Sequence, residues 1–438
     1  MNRIFVLVMF LTIMFVIQFG ISEQLFFSIS ALPTLSFGFI LLVGYLLSDV
    51  FYKMRLPRIT AYLIAGIIFG PYFANLLTDS AVANLRFIDD LALNFIALAA
   101  GGELRIRKVI SRLKPILLLI TIGSVVIFIG VTITLSSLNI DFFKDRTWQE
   151  IIVMCSLCGI IAIARSPSSA IAIISETRAS GKFTDTVLSV TVVTDVIIIP
   201  LFAIAASFAK IALHQTGQQT SNLTGLFSAL GSSILAGIIL GWIISLYFKY
   251  IGRERVFFIL AIIFITAKMS HFISDFIEIN FRTVFELEPM VICMTAGFVI
   301  QNLYDEGNAL IHAIDRSALP VYVLFFSLTG AALNINILKD TWHIAIIIVF
   351  LRLVYISIGS FIGGRLGNDP VKHSSLYGLS FITQAGVSFG LAKILQREFP
   401  EWGSSLTTVL IASIIINQII GPVLMKFSLD AVRETHHH

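Results

Sequence analysis

The stretch IIVMCSLCGIIAIARSPSSAIAII, Ile151 to Ile174, is apolar at both ends and polar at its centre, where Arg165-Ser166-Pro167-Ser168-Ser169 interrupts it. Its length suits a membrane-crossing helix. Proline lacks an amide hydrogen and pushes the preceding residue out of the helical region, so a break is expected near Pro167. The following apolar stretch, TVLSVTVVTDVIIIPLFAIA, carries one carboxylate, Asp195, about halfway along. An ionisable group at that depth costs roughly 2.5–3.5 kcal/mol on insertion scales and marks a functional site by default. A broken helix next to a buried carboxylate is the layout of an ion-coupled transporter.

The rest of the chain agrees with a polytopic helical membrane protein. Hydrophobic residues make up 57% and charged residues 13%, and the mean hydropathy is +0.93, far from the soluble range. The net charge of +4 implies no nucleic-acid partner; in a membrane protein the placement of charge sets orientation. Cys155, Cys158 and Cys293 all lie in apolar spans, which suggests no disulfide framework. The Cys155-x-x-Cys158 pair has no histidine near it and is read as helix packing. The terminal His436 to His438 resemble an expression tag and are left out.

Hydropathy marks thirteen spans between residues 34 and 425. The run Ile4 to Gly20 fits either a signal peptide or a first helix, and it is read as a retained helix for want of a convincing cleavage site. That makes about fourteen transmembrane helices. Lysine and arginine number eighteen in one alternating set of loops (Lys53, Arg105, Arg112, Arg178, Arg253, Arg316, Arg365 and their neighbours) and seven in the other (Arg86, Lys144, Arg146, Lys210, Arg282, Lys339, Arg397). The richer set is expected in the cytoplasm, with both termini.

Weak internal repetition runs in a consistent order. AGIIFGP (Ala65 to Pro71) has a counterpart in AGFVIQN (Ala296 to Asn302), and ALNFIALAAGGEL (Ala92 to Leu104) in VLFFSLTGAALNI (Val323 to Ile335). The broken span is matched by LSFITQAGVSFGLA (Leu379 to Ala392), with Gln384 and Gly386 at its polar middle. Six spans separated from six by one extra helix must be inserted upside down relative to each other, so the repeats are inverted.

Four charges fall at membrane depth: Arg165, Asp195, Lys268 and Arg352. Asp49, Asp89, Asp90, Glu103 and Lys393 are nearer span ends and are read as interfacial, and Lys268 and His271 as snorkelling. Asp195 has Thr191 one turn before it and Thr194 directly before it, and such hard oxygen ligands suit a small monovalent cation. Arg352 is its natural partner if the repeats face each other, or else it braces the fold. Burial and a neighbouring guanidinium act on such a carboxylate in opposite senses, which would let proton and cation compete for one site. Arg165 either caps the carbonyl end of the broken helix, or binds a carboxylate such as Glu176 across the break, or marks an anion site.

At these residues the sequence resembles the monovalent cation:proton antiporter superfamily, particularly the branch of the glutathione-gated potassium efflux proteins and related sodium/proton exchangers. The resemblance runs over roughly Leu35 to Pro422 and rests on LPRITAYLIAGIIFGP, SPSSAIAI, VVTDV, LFFSLTGAALNI, Arg352 and QAGVSFGLA. It implies two crossing broken helices in a six-helix core that moves against a scaffold or dimerisation domain in an elevator-like motion. The corresponding division is scaffold at 1–84 and 211–308, core at 85–210 and 309–427, and a tail at 428–438. It also implies that Asp195 is the proton and cation site, lined by Ser166 and Ser168 or nearby carbonyls. Two departures stand out: Thr194 where electrogenic relatives have a second Asp, and Arg165 where a small polar residue is expected.

The expected function is therefore antiport of Na+ or K+ against H+ in the inner (plasma) membrane, by a homodimer. The single carboxylate sets the ratio at one for one. No cofactor is expected beyond the transported ions, and no nucleophile–base pair, metal cluster or phosphate loop suggests an enzyme. An anion or organic-acid transporter on the same architecture, suggested by Arg165 with Arg352, and a ligand-gated K+ efflux system are the alternatives.

Overall fold

The computed structural model describes residues 31–436 apart from 55, 86, 139, 145, 214–222, 282–286, 333–334 and 400. The run Ile4 to Gly20, and Arg55, Arg86 and Arg282 of the loop charges, lie outside the described residues. The described chain is helical throughout, as lipid demands of a backbone that must satisfy its own polar groups. In order the helices are α1 (Ala31–Lys53), α2 (Arg58–Phe69), α3 (Asp79–Asn84), α4 (Phe87–Glu103), α5 (Ile106–Ser111), α6 (Leu113–Ser137), α7 (Trp148–Ile163), α8 (Pro167–Thr177) and α9 (Lys182–Ala212). They continue with α10 (Leu223–Tyr250), α11 (Arg255–Phe281), α12 (Pro289–Leu303), α13 (Gly307–Ala331), α14 (Ile335–Leu366), α15 (Val371–Ser380), α16 (Gly386–Glu398) and α17 (Gly403–Val432).

Nine stretches among the described residues are long and apolar enough to cross a membrane, the α7–α8 pair counting as one. Three apolar helices are shorter, and α15–α16 forms a second broken pair. Each of the thirteen spans expected between residues 34 and 425 has its helical counterpart. Lys268 is exposed, its ammonium 5.9 Å from the Phe264 ring centroid, and Glu103, Lys393 and His271 are exposed as well.

The helices sort into two bundles. In the first, α6 packs along α14 and α7, and α14 along α15 and α17, with α9 against α7 and α16 against α17. We call this the crossing bundle, because both broken pairs lie in it. In the second, the flanking bundle, α12 packs on α4 and α10, and α13 on α2, α4 and α1. By packing, α4 and α13 lie with the flanking helices, whereas the boundaries at 85 and 309 expected from the sequence group them with the core.

Glycines explain that grouping. A Cβ on Gly66 of α2 would strike the backbone of Ser327 on α13, and one on Gly330 of α13 the backbone of Leu63. The same holds for Gly101 of α4 against Met294 of α12, and for Gly297 of α12 against Leu98. Small residues let helix backbones touch, the principal source of helix–helix attraction in lipid. Gly66 and Gly297 stand at matched positions of the repeated AGIIFGP and AGFVIQN, and Gly101 and Gly330 two positions apart in the other repeated pair. The two seams are thus one contact made twice by the inverted repeat. A third seam joins α6 to α14, where Gly359 meets Gly123, and there the Thr134 and Tyr355 hydroxyls hydrogen-bond at 2.5 Å.

Candidate functional site

The first break is built as the sequence suggests. α7 ends at Ile163, and Ala164 and Ser166 take extended conformations. Pro167 opens α8 at its first turn, where a missing amide hydrogen costs nothing. Ser166 caps α8, its Oγ accepting from the Ser169 amide at 3.3 Å and lying 2.9 Å from the Ser168 Oγ. The second break spans Phe381 to Ala385, between α15 and α16.

The breaks cross in contact. The Ser166 amide donates to the Thr383 carbonyl at 2.9 Å, and the Gln384 side chain donates to the Ile161 carbonyl at 3.0 Å. Gln384 in turn accepts from Asn417 of α17 at 2.9 Å. Gly386, with only Leu93 near its missing Cβ, starts α16.

Each half-helix ending at a break leaves carbonyls without intrahelical partners and a partial negative charge. Arg352, 1% exposed on α14, answers both ends at once. Its Nε donates to Ala162 O at 2.8 Å, its Nη1 to Ile382 O at 2.5 Å, and its Nη2 to Ala164 O and Phe381 O at 2.9 and 3.0 Å. Asp195 is not among its acceptors. The pairing expected from the sequence is therefore replaced by the alternative weighed beside it: Arg352 braces the fold, because four orphan carbonyls use its fork more completely than one carboxylate would.

Arg165 is equally buried, at 1% exposed. Its Nη1 donates to Thr194 Oγ1 at 3.2 Å, its guanidinium carbon lies 4.1 Å from the Phe381 ring centroid, and its Nε and Nη2 have no partner. Glu176 does not reach across the break to it. The Glu176 carboxylate instead accepts from the Arg58 amide at 2.9 and 3.0 Å, capping the start of α2 in the other bundle.

The two threonines beside Asp195 differ. Thr194 donates to the Val190 carbonyl at 2.6 Å while accepting from Arg165, so it is occupied. Thr191 Oγ1 and Asp195 Oδ1 are buried and without a partner among the described residues. A carboxylate oxygen and a hydroxyl oxygen one turn apart are thus available for a ligand on α9.

Two adjoining cavities of about 320 and 420 Å³ lie between the bundles. Ser175, Arg178, Asp315 and Tyr322 line both, and Glu176 lines the first. Leu188 lines the second. Leu188, Thr191 and Asp195 stand at i, i+3 and i+7, on one face of α9, so the cavity reaches that face about two turns, some 10 Å, before the carboxylate.

Sequence reasoning missed two participants. Glu288, immediately before α12, lies close enough to Asp195 for their charges to interact; Pro289 as a helix start was the available signal. Asn417 of α17 was also missed. Pro200 and Pro422 both sit inside helices, each five residues after a polar side chain, Asp195 and Asn417 respectively.

Comparison with known proteins places these features. A family described as sodium/hydrogen exchanger, transmembrane, matches residues 38–426. The probable Na(+)/H(+) antiporter 3 of Methanocaldococcus jannaschii is 22% identical over 403 residues, covering 89% of this chain and 95% of its own. Na(+)/H(+) antiporter 1 of the same organism is 24% identical over 209 residues, 46% of this chain and 45% of its own. The structure of the sodium proton antiporter MjNhaP1 from that organism at pH 8 superposes with a TM-score of 0.66 at 18% identity, covering 92% of this chain and 96% of that one. An electron-microscopy structure of MjNhaP1 gives 0.70 at the same identity and coverage.

Proposed function

Because this chain belongs to the transmembrane sodium/hydrogen exchanger family, we propose that it exchanges a monovalent cation, Na+ or K+, for H+ at Asp195. The observation that carries this reading is the pair of unpartnered oxygens on α9, Asp195 Oδ1 and Thr191 Oγ1. Hard oxygens suit a small cation. A buried carboxylate oxygen without a partner is tolerated when it faces either a proton or a cation, so each substrate excludes the other.

Arg352 is committed to four backbone carbonyls, and Asp195 carries one proton or one cation, so exchange is one for one and electroneutral. The face bearing Lys53, Arg178 and Arg365 is cytoplasmic, in the inner membrane, and the inter-bundle cavities are the vestibule on that side. Alternating access comes from elevator-like motion of the crossing bundle against the flanking one, which also forms a homodimer.

The decisive experiment is proton-coupled flux in proteoliposomes, followed by fluorescence dequenching with Na+, K+ and Li+. Asp195→Asn keeps the shape of the side chain and loses both proton and cation chemistry; it is expected to be folded and inactive, and retained exchange moves the site elsewhere. A second reading, anion transport, draws on the two unpartnered nitrogens of Arg165. Chloride or carboxylate flux that disappears in Arg165→Gln would carry it.

A further inference from the structure

Arg165 is tied down on two sides and open on a third. Its guanidinium carbon lies 4.1 Å from the Phe381 ring centroid, and its Nη1 donates to Thr194 Oγ1 at 3.2 Å. Phe381 is itself part of a stack, parallel to Tyr377 at 6.2 Å, with Tyr377 parallel to Phe183 of α9 at 4.7 Å. Nε and Nη2 are buried and have no partner among the described residues. Nη2 faces α6 at Gly123, which is buried as well. A Cβ on that glycine would stand 3.2 Å from Nη2, and outside the glycine's own stretch of α6 no other heavy atom would come within 4 Å of it. The free donor therefore looks into room for a small ion.

The charge around it agrees. Arg165 and Arg352 are both 1% exposed and near enough for their charges to interact. Arg352 is spent on four carbonyls, whereas Arg165 is answered by one hydroxyl and one aromatic face. Among the described residues no carboxylate forms an ion pair with either. The positive end of α8 begins two residues beyond Arg165 and adds to the same field. A buried charge left in this condition is expensive, and protein interiors pair such charges or satisfy their hydrogen bonds in full.

We propose that the Arg165 guanidinium holds a small inorganic anion, a halide in particular, over Gly123, and that this ion is a resident counter-ion of the crossing rather than cargo. A monatomic anion needs donors alone. A buried water needs about two to four polar partners, and Nη2 is the one polar atom from outside α6 beside that point. The proposal stands on the packing around Arg165 and does not rest on Asp195 being the exchange site.

The test is the thermal unfolding midpoint of the purified full chain in mild detergent, titrated with sodium chloride or sodium bromide against sodium gluconate at constant ionic strength. Gluconate matches a halide in charge and not in size. A halide should raise the midpoint by a few degrees and then saturate, as ligand binding to the folded state requires, while gluconate should not. The rise should be lost in Arg165→Gln, and also in Gly123→Ala, where a methyl group fills the space and the guanidinium stays. Equal midpoints in chloride and gluconate overturn the proposal, and so does a saturating rise retained in either variant, which places the ion elsewhere. If neither variant folds, crystals of the unaltered chain in bromide decide: an anomalous-scattering peak between Arg165 and Gly123 supports the site, and its absence there overturns it. Chloride flux into proteoliposomes that disappears in Arg165→Gln makes the anion cargo and overturns the resident reading. Na+/H+ exchange surviving in Asp195→Asn moves the exchange site and leaves this proposal standing.

Discussion

Arg352→Gln should cost the protein stability before it costs anything else. The guanidinium serves four carbonyls, two at each break, and all four are buried with it. A hydrogen bond from a charged donor contributes about 1.5–3 kcal/mol, and a buried carbonyl left alone costs about 1–3 kcal/mol. Glutamine is shorter and has a single donor nitrogen, so at least two carbonyls lose their partner. Since the four bonds act as a unit, their losses are not additive, and a loss of about 4 kcal/mol is the expected scale. Arg352→Lys keeps the charge without the fork and should lose about 2–4 kcal/mol. Both are measurable by denaturant titration of the purified protein in mild detergent, followed by a probe of helix content. An Arg352→Gln protein within about 1 kcal/mol of the unaltered one would show that the carbonyls find other partners and that the crossing does not depend on this residue. A second readout separates bracing from pairing: in Arg352→Lys the pH profile of exchange should stay in place, and a shift beyond about half a unit would mean that Arg352 acts on Asp195 directly.

Other substitutions probe the remaining parts of the structure. Thr191→Val should raise KM for the cation several-fold with little change in stability, because it removes an unpartnered oxygen; an unchanged KM excludes Thr191 as a ligand. Gly66→Ala should lower the thermal midpoint by the equivalent of about 1–3 kcal/mol through collision with α13, whereas Gly231, with nothing within 4 Å of its missing Cβ, should accept alanine without loss. Glu176→Ala removes the cap on α2 and the hydrogen bonds between bundles, so about 1 kcal/mol of stability should go while turnover rises; equal turnover argues that the Glu176–Arg58 contact survives the transport motion. The end point of exchange should not move under an imposed potential of about 100 mV, since a carrier with net charge movement would feel about 2.3 kcal/mol per charge; a moved end point would point to Glu288 as a second titrating group.

Much of this was legible because some residues admit few conformations. Pro167 in a polar run breaks a helix wherever it stands, and Gln384 with Gly386 marked the second break closely enough to pair the two. Asp195 was conspicuous against an apolar background. Arg352 was equally conspicuous, but its acceptors were not: every residue carries a carbonyl, and only the crossing selects those of Ala162, Ala164, Phe381 and Ile382. The same reason hid the role of Glu176, whose partner is a backbone amide. The packing of α4 and α13 with the flanking helices was not legible, because chain order suggested boundaries that glycine contacts between the repeats do not follow. Thr191 and Thr194 look alike in sequence, and only their partners in the fold, Val190 and Arg165 for Thr194, distinguish them.

The glycine seams bear on how the protein is made. Helix α2 is complete once residue 69 has left the ribosome, yet the surface it fits, on α13, ends at residue 331; α4 waits likewise for α12. Until then Gly66 and Gly101 offer bare backbone to lipid, which holds them in place but supplies no close partner. The first half of the chain must therefore persist in the membrane as separately inserted helices, and the flanking bundle closes only when the second half arrives. Two halves cut between α9 and α10 and expressed together should find each other through these seams, while the amino-terminal half alone should be degraded.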